Sequence, residues 1–439
     1  AVTMVVFAAG ASQLGFHYDD SRWVHELATA DLAAMWDKMW TYIPGRPLFV
    51  FWQWLVFQVV LEPFSNWTAL HLIQSALDAL VVAAFFLLLR LLRLPAHVAV
   101  LAAGLFGFWP NHGETHFWNT SVVGNLLTTL FVVVFAMTSI VLARAGRASG
   151  RVWPLDLAAF LGALFTYDQT FFVLLGAVVV RLRIAARRGF LLAHAPYGAA
   201  VAVFLWLKLA AAPASGPGLR HDSAGILLGN AATTIFSTLK VSSFYDRATR
   251  ADWLLALAAA TMLTAVALWL WRAPQAHSGG LRRRPVFALV VGFYFAAYVP
   301  AWLWYLSPRH HYFPSVGLFA GAAVWLAWLL DQIRPRAIQA ALLLAVGGVT
   351  LAFAASSRGE GRYWADSFAA KKQLFADLRR DLADTQILVL ENFPNQLGPA
   401  HLIYPQDAAF AAPRLYGPSV LDPRFTGDVS SAPAPNGVF

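Results

Sequence analysis

Long apolar stretches recur along the chain, and they constrain its fold more than any other feature. Each covers about 18 residues or more, which is the length that a helix needs to cross the hydrocarbon core of a bilayer. The composition agrees, since 59% of the 439 residues are apolar and 13% are charged, against ~25% charged in a soluble domain. The sequence therefore predicts an all-α polytopic membrane protein. It excludes an ordinary cytosolic enzyme, a disordered chain and a nucleic-acid-binding domain.

We predict about eleven membrane-spanning helices. Residues 1–16 are interpreted as the outer end of a first helix, with a cleaved signal peptide as the alternative. The segment 47–64 carries an aromatic run, and we interpret it as an outer interfacial helix that does not cross. The remaining spans are predicted at 68–89, 97–110, 121–143, 153–166, 170–186, 193–211, 252–271, 286–306, 312–330 and 337–355.

Arginine-rich loops predict the orientation. Five alternate loops carry Arg90 and Arg93; Arg144, Arg147 and Arg151; Arg181, Arg183, Arg187 and Arg188; Arg272 and Arg282–Arg284; and Arg334 and Arg336. These loops contain almost no acidic residues, which is typical of cytoplasmic loops. The N-terminus is then inside and the C-terminus outside, with the acidic loops in the periplasm or an equivalent lumen.

The composition of the chain changes near residue 355, and this change predicts two domains. Residues 1–355 form a predicted transmembrane domain with an outer loop at 17–64. Residues 356–439 are charged and proline-rich, and they predict a small outer α/β cap. Its elements would be a helix at 364–383 and strands at 387–392 and 401–404.

Polar residues are informative here, because a charge held in hydrocarbon costs ~2.5–3.5 kcal/mol. They collect at four outer positions that are distant in sequence. These are HYDDSRW (17–23), WPNHGETHFWN (109–119), TYDQTF (166–171) and SPRHHYFPSVG (307–317).

The first position holds two adjacent carboxylates, Asp19 and Asp20, directly after the first span. A carboxylate there suits a general base, and a polar helix cap is the alternative. The second position holds His112, Glu114 and His116. These side chains could bind a divalent cation, with Asp20 as a further ligand, or hydrogen-bond a sugar. Solvated or capping loop residues are the alternative, and the absence of cysteine excludes a thiolate metal site.

The third and fourth positions predict substrate contacts. Asp168 and Gln169 lie at a predicted outer turn, for which an ordinary polar turn is the alternative. A cationic, hydrogen-bonding cluster is predicted at headgroup depth, where the guanidinium fork of Arg309 suits a phosphate. It consists of Arg309, His310, His311 and Tyr312. An aromatic-belt anchor with a snorkelling arginine is the alternative there.

The order of these motifs resembles the GT-C superfamily of integral membrane glycosyltransferases, most closely bacterial relatives of the transmembrane and tetratricopeptide-repeat-containing O-mannosyltransferases. The matching positions are the acidic pair Asp19 and Asp20; Arg46, Pro47 and Leu48; the helix residues His71, Gln74 and Asp78; Pro110, His112 and Glu114; and Arg309, Tyr312, Pro314 and Ser315. The family's Lys-Glu pair is replaced by Tyr167 and Asp168. The resemblance covers residues 1–355, and the repeats themselves are absent.

The resemblance implies a GT-C-like fold in a bacterial inner membrane with a periplasmic active site. It implies transfer of a sugar from a polyprenyl-phosphate-linked donor to a glycan, lipid or protein acceptor, with Asp19 or Asp20 as general base. Substrate contacts would come from Arg46 and the residues of the other three motifs. Two alternatives stay open: a lipid or polysaccharide transporter, with Asp78 and Asp156 as relay groups, and a non-catalytic membrane assembly subunit.

Overall fold

The described part of the chain is almost entirely helical. The computed structural model describes residues 2–8, 10–14, 27, 30–41, 46–58, 67–145, 152–188, 194–211, 223–239, 283–303, 306–381, 396–397 and 400–401. Within these ranges the only strands are β1 (Gln396–Leu397) and β2 (Ala400–His401), which pair antiparallel. The predicted all-α fold class is therefore confirmed in its general form.

The helices are numbered here in chain order. They are α1 (Val2–Ala8), α2 (Leu32–Thr41), α3 (Pro47–Val56), α4 (Trp67–Leu91), α5 (Ala96–Gly107), α6 (Gly113–Phe117), α7 (Thr128–Ala145), α8 (Trp153–Thr166), α9 (Phe171–Arg188), α10 (Ala195–Ala211), α11 (Ser223–Leu239), α12 (Arg283–Leu303), α13 (Arg309–Gln332) and α14 (Arg336–Asp381). Short 3₁₀ turns occupy Ala11–Gln13, Pro110–His112 and Asp168–Thr170, and a π-helical turn at Val122–Leu127 leads into α7.

Several of these helices are suited to a bilayer. Four described segments are long and apolar enough to cross one: Thr68–Leu91, Val122–Arg144, Arg309–Gln332 and Arg336–Leu374. Helices α8 and α9 meet at an angle of 119°, as a broken span or a re-entrant pair. Helices α3, α5, α10 and part of α12 are apolar but shorter. The predicted span at 252–271 lies outside the described residues, so the total of about eleven stays a prediction.

Helices α11 and α14 differ from the sequence predictions. Helix α11 occupies 223–239, where the sequence predicts no span. Its polar residues Asn230, Thr234 and Ser237 form hydrogen bonds with α12 and α13. Helix α14 runs unbroken for 46 residues, so the predicted domain boundary after residue 355 falls inside a helix. The predicted strand at 387–392 lies outside the described residues.

Helix α13 lies at the centre of the largest buried cluster. Its residues pack with those of α4 and α5 around Phe106 and Phe319. Gly317 lets α13 approach α12 closely, since a Cβ at this position would lie 3.0 Å from the backbone nitrogen of Tyr294. Small residues at such crossings are typical of membrane helices, where close packing replaces the hydrophobic effect.

An ion pair joins α8, α9 and α10 at the helix ends away from the α8–α9 junction. The fully buried carboxylate of Asp156 accepts two hydrogen bonds from the Arg181 guanidinium, at 2.6 and 2.9 Å, and one from the Tyr197 hydroxyl, at 2.5 Å. The guanidinium also lies 4.4 Å from the centre of the Phe135 ring. Both carboxylate oxygens are therefore engaged by these donors.

Removal of Arg181 should destabilise this end of the bundle. Arg181→Ala leaves the Asp156 charge buried without its cation, and we expect a loss of about 3–5 kcal/mol in the free energy of unfolding. Arg181→Lys should restore part of it. The measurement is thermal unfolding in detergent, with Arg334→Ala at an exposed position as the control. Equal melting temperatures for Arg181→Ala and the control would contradict the expectation.

Candidate functional site

A buried, irregular segment forms the floor of the candidate site. Every residue from Phe106 to Asn119 is buried, although the chain is broken into a 3₁₀ turn and the short helix α6. Buried backbone groups outside a regular helix must find hydrogen-bond partners within the protein. Here the side chain of Gln74 donates to the carbonyl of Thr115 at 2.8 Å, and the Ser357 hydroxyl donates to that of Phe108 at 2.9 Å.

Asp78 connects this segment to helix α13. The Tyr312 hydroxyl donates to Asp78 Oδ1 at 2.5 Å, and His116 Nδ1 lies 3.2 Å from Asp78 Oδ2. All three side chains are buried. The His116 ring also stacks on Phe7, with 3.9 Å between ring centres. His116 and Tyr312 therefore belong to a polar cluster in the protein interior.

His112 lies beside this cluster. Its Nε2 atom is 2.9 Å from the Ser315 hydroxyl of α13. Burial lowers the pKa of His112 well below its usual value, and the nearby imidazoles of His116 and His311 lower it further. His112 is therefore neutral at pH 7 and serves as a hydrogen-bonding group.

Glu114 lies at the start of α13. Its Oε2 atom accepts a hydrogen bond from the backbone N–H of Arg309 at 3.3 Å, and the Arg309 guanidinium lies 4.0 Å from the same oxygen. The guanidinium also lies 4.3 Å from the centre of the Trp118 ring. A carboxylate at a helix N-terminus is favoured by the helix dipole, so Glu114 both caps α13 and partly neutralises Arg309.

The α8–α9 junction carries a second set of charges. Arg46 and Lys208 each donate to the same oxygen of Asp168, Oδ2, both at 2.7 Å. The Arg46 guanidinium lies 4.8 Å from the centre of the Tyr167 ring, and that ring stacks on His310 with 6.5 Å between centres. This arrangement brings the chain before α3 against the start of α13.

Gln169 completes the connection between the third and fourth sequence motifs. Its side-chain amide donates to the backbone carbonyl of His310 at 2.7 Å. The structure thus joins Arg46, Asp168, Gln169 and His310 in one group. It joins Glu114 to Arg309, and His112 and His116 to Tyr312, in adjoining groups that meet at the first turn of α13. Asp19 and Asp20, the predicted catalytic residues, lie outside the described residues.

A metal site finds no support among the residues that the structure describes. His112, Glu114 and His116 lie close in sequence, but no three His, Asp or Glu side chains in these ranges form a group that could hold a metal ion. The further ligand considered from the sequence, Asp20, lies outside them.

Sequence reasoning missed three side chains that complete the site. Lys208 is a lone charge in an apolar helix, which is itself a signal of function or pairing. Ser237 of α11 lies 3.2 Å from His311 Nε2, and the Tyr298 hydroxyl lies 2.5 Å from His311 Nδ1. Neither residue belongs to a motif, so only the packing of α11 and α12 against α13 reveals them.

The C-terminal half of α14 packs against the buried segment 106–119. Gly113 contacts Glu360 so closely that a Cβ on Gly113 would lie 1.6 Å from Glu360 Oε1. A Cβ on Gly361 would lie 3.0 Å from the Phe117 ring, and the buried Trp364 packs against the same ring. These two glycines let α14 support the segment that carries His112, Glu114 and His116.

The described residues form an all-helical fold with several long apolar helices, which is compatible with a membrane protein, and they carry a charged, hydrogen-bonded cluster at one end of the bundle. No protein-family model, curated protein or solved structure matches the chain.

The contact between Gly113 and Glu360 predicts a coupled pair of substitutions. Gly113→Ala forces the buried Glu360 carboxylate to move, and we expect a loss of about 1–3 kcal/mol in stability, as in other overpacked sites. Combining Gly113→Ala with Glu360→Ala should recover part of that loss. Melting temperatures of the two single variants and the double variant test this.

Gly359→Ala is the matched control, because a Cβ there meets no atom within 4 Å. It should be neutral or slightly stabilising in a helix. Strictly additive effects of Gly113→Ala and Glu360→Ala would contradict the predicted contact.

Proposed function

We propose that this protein is a GT-C-type glycosyltransferase that uses a polyprenyl-phosphate-linked sugar. The acceptor is a hydroxyl group at the outer face of a bacterial inner membrane. The supporting observation is the convergence of motifs that are distant in sequence. Arg46 contacts Asp168, Gln169 contacts His310, and Glu114 contacts Arg309. Scattered polar turns or separate aromatic-belt anchors would not require these contacts.

The chemistry of the proposed transfer matches the types of residue present. The acceptor oxygen attacks the anomeric carbon, the bond from that carbon to the phosphate oxygen breaks, and the carrier phosphate leaves with the electron pair. Arg309 and Arg46 supply cationic groups for the phosphate. Asp19, with Asp20 beside it, takes the acceptor proton as general base.

The hydrogen bonds of Asp156 and Asp78, the two acids considered as relay groups, support an enzyme rather than a transporter. Both oxygens of Asp156 are bonded, to Arg181 and Tyr197, so this carboxylate acts as a structural ion pair. Asp78 is bonded to Tyr312 within the same cluster that contains His116. The polar groups thus divide into a closed network at one end of the bundle and a larger cluster at the other.

The proposal includes the orientation of the helices in the membrane. The end that carries Asp168 and Arg309 would face the periplasm, and the end that carries Asp156 and Arg181 would face the cytoplasm. This agrees with the clustering of arginine in alternate loops. Residues 356–439 would then cover the periplasmic side, beginning with the outer part of α14.

A transfer assay with purified protein tests the function directly. Radiolabelled polyprenyl-phosphate sugars are incubated with hydroxyl-bearing acceptors in lipid vesicles. Asp19→Asn should fold and bind donor normally but lower turnover by about a hundredfold or more, since base catalysis contributes ~10²–10⁴-fold.

The matched variant is Asp20→Asn. If it loses turnover while Asp19→Asn does not, the two roles are exchanged. Normal turnover in both variants would remove the acidic pair from the mechanism, and no transfer by the wild type with any donor would refute the function.

Arg309 is predicted to bind the donor phosphate. Arg309→Ala should weaken donor binding about tenfold or more, because a hydrogen bond to a charged group contributes about 1.5–3 kcal/mol. Arg309→Lys keeps the charge but loses the guanidinium fork, so it should bind donor with intermediate affinity. Titration with a fluorescent polyprenyl phosphate measures this, with Arg334→Ala as control. Unchanged affinity in Arg309→Ala would remove the assignment.

A further inference from the structure

Helix α4 ends in a turn that carries an arginine where glycine is usual. The backbone N–H of Arg93 donates to the carbonyl of Arg90 at 2.9 Å, and that of Leu94 donates to the carbonyl of Leu89 at 3.2 Å. These are the two bonds of a Schellman motif. Such an end places one residue in the left-handed region, and this residue is Arg93, with a φ of 60°. Glycine is favoured there because it has no Cβ, so the charged side chain is present against the preference of the backbone.

Two further guanidinium groups are held against the same turn. Arg90 donates to the carbonyl of Leu94, and Arg144 at the end of α7 donates to the carbonyl of Leu91 at 2.7 Å. Leu91 and Leu94 are three residues apart, so their Cα atoms lie within about 11 Å of one another. Side chains from two helices therefore bring their positive charge to one short stretch of chain.

The charges of Arg90 and Arg144 have no acidic partner in the part of the chain that the structure describes. Both side chains are exposed, both bond to neutral carbonyl groups, and the ion pairs of the described residues involve other cations. A guanidinium has five N–H donors in a planar fork, so each group keeps donors for a second partner. A phosphate is an anion that this fork binds with two hydrogen bonds.

An apolar stripe on α4 leads to the same turn. Exposed residues follow one another every three or four positions from Ile73 to Leu87, and the next position in this series is Arg90. Residues at this spacing share one face of a helix, and the stripe is about 25 Å long at the rise of an α-helix. Its members are Ile73, Ala76, Leu80, Ala83 and Leu87. The stripe therefore suits acyl chains whose headgroup lies at Arg90.

We propose that Arg90, Arg93 and Arg144 form a site for the headgroup of an anionic phospholipid. The guanidinium groups bind the lipid phosphate, and the acyl chains lie along the stripe of α4. The apolar stripe favours a lipid over a soluble phosphate. Arg90 is about 18 Å along α4 from Asp78 of the candidate functional site. The inference thus goes beyond the proposed function, and it requires only that the chain lies in a membrane.

The test measures binding of three probes to the full chain in a neutral detergent by native mass spectrometry. The probes are phosphatidylglycerol, phosphatidylcholine with the same acyl chains, and inorganic phosphate. The wild type should prefer phosphatidylglycerol, because the choline cation of the other lipid is repelled by the arginines. Arg90→Gln and Arg144→Gln should each lower the affinity for phosphatidylglycerol about tenfold or more, the size of one charged hydrogen bond.

The matched control is Arg334→Gln, which removes one exposed arginine just after α13. It should leave the affinity for phosphatidylglycerol unchanged. An equal loss in Arg334→Gln and Arg90→Gln would mean that the lipid responds to general surface charge, and it would overturn the site.

Arg93→Gly separates lipid binding from folding. Glycine suits the left-handed backbone at this position, so the melting temperature of the lipid-free protein should be maintained or raised. The affinity for phosphatidylglycerol should nevertheless fall, which a purely structural role of Arg93 would not produce. Unchanged affinity in this variant would contradict the part of Arg93 in the site.

Two other outcomes would overturn the proposal. One is equal affinity of the wild type for both lipids, or an affinity for phosphatidylglycerol that neither Arg90→Gln nor Arg144→Gln alters. The other is arginine-dependent binding of inorganic phosphate without binding of phosphatidylglycerol, which would identify a soluble anion as the ligand. Neither result bears on sugar transfer, which the transfer assay measures separately.

Discussion

The hydrogen bond between Tyr312 and Asp78 is the contact on which the arrangement of the site depends. It joins α13 to α4 at 2.5 Å between two buried side chains, where an unpaired partner would be costly. It also sets the rotation of α13 about its axis. With Tyr312 directed at α4, the backbone of Arg309 meets Glu114 and Ser315 reaches His112. One turn of helix thus organises the motifs around it.

The bundle carries two charged networks of different character. The Asp156 network is saturated, since each carboxylate oxygen is bonded to Arg181, and it serves stability. In the Asp168 network Arg46 and Lys208 share one carboxylate oxygen, and the other oxygen has no hydrogen-bond donor among the described residues. In a low-dielectric environment an acceptor without a donor is expensive, so such a cluster is expected where a ligand supplies the missing donor.

Sequence patterns predicted the positions of most described helices and the polar residues of three motifs. They failed where the deciding contacts are distant in the chain. Helix α11 was not predicted, because Ser237 and its polar neighbours bond to other helices and hydropathy records only the local chain. The sequence analysis ended the apolar helix at 355, because the residues beyond it become charged. Helix α14 nevertheless continues to Asp381 and packs against Gly113 through Glu360. Asp19 and Asp20 stay predictions.

Contacts between distant residues also matter at the α8–α9 junction, where the sequence differs from the pattern that the proposed resemblance implies. The resemblance implies a Lys-Glu pair there, and this chain has Tyr167 and Asp168. The acid keeps a lysine partner nonetheless, because α10 brings Lys208 to within 2.7 Å of it. Tyr167 lies between Arg46 and His310. Its aromatic ring attracts the positively charged Arg46 guanidinium. A lysine–acid pair can thus be assembled from separate helices, so a motif that is broken in sequence need not be broken in space.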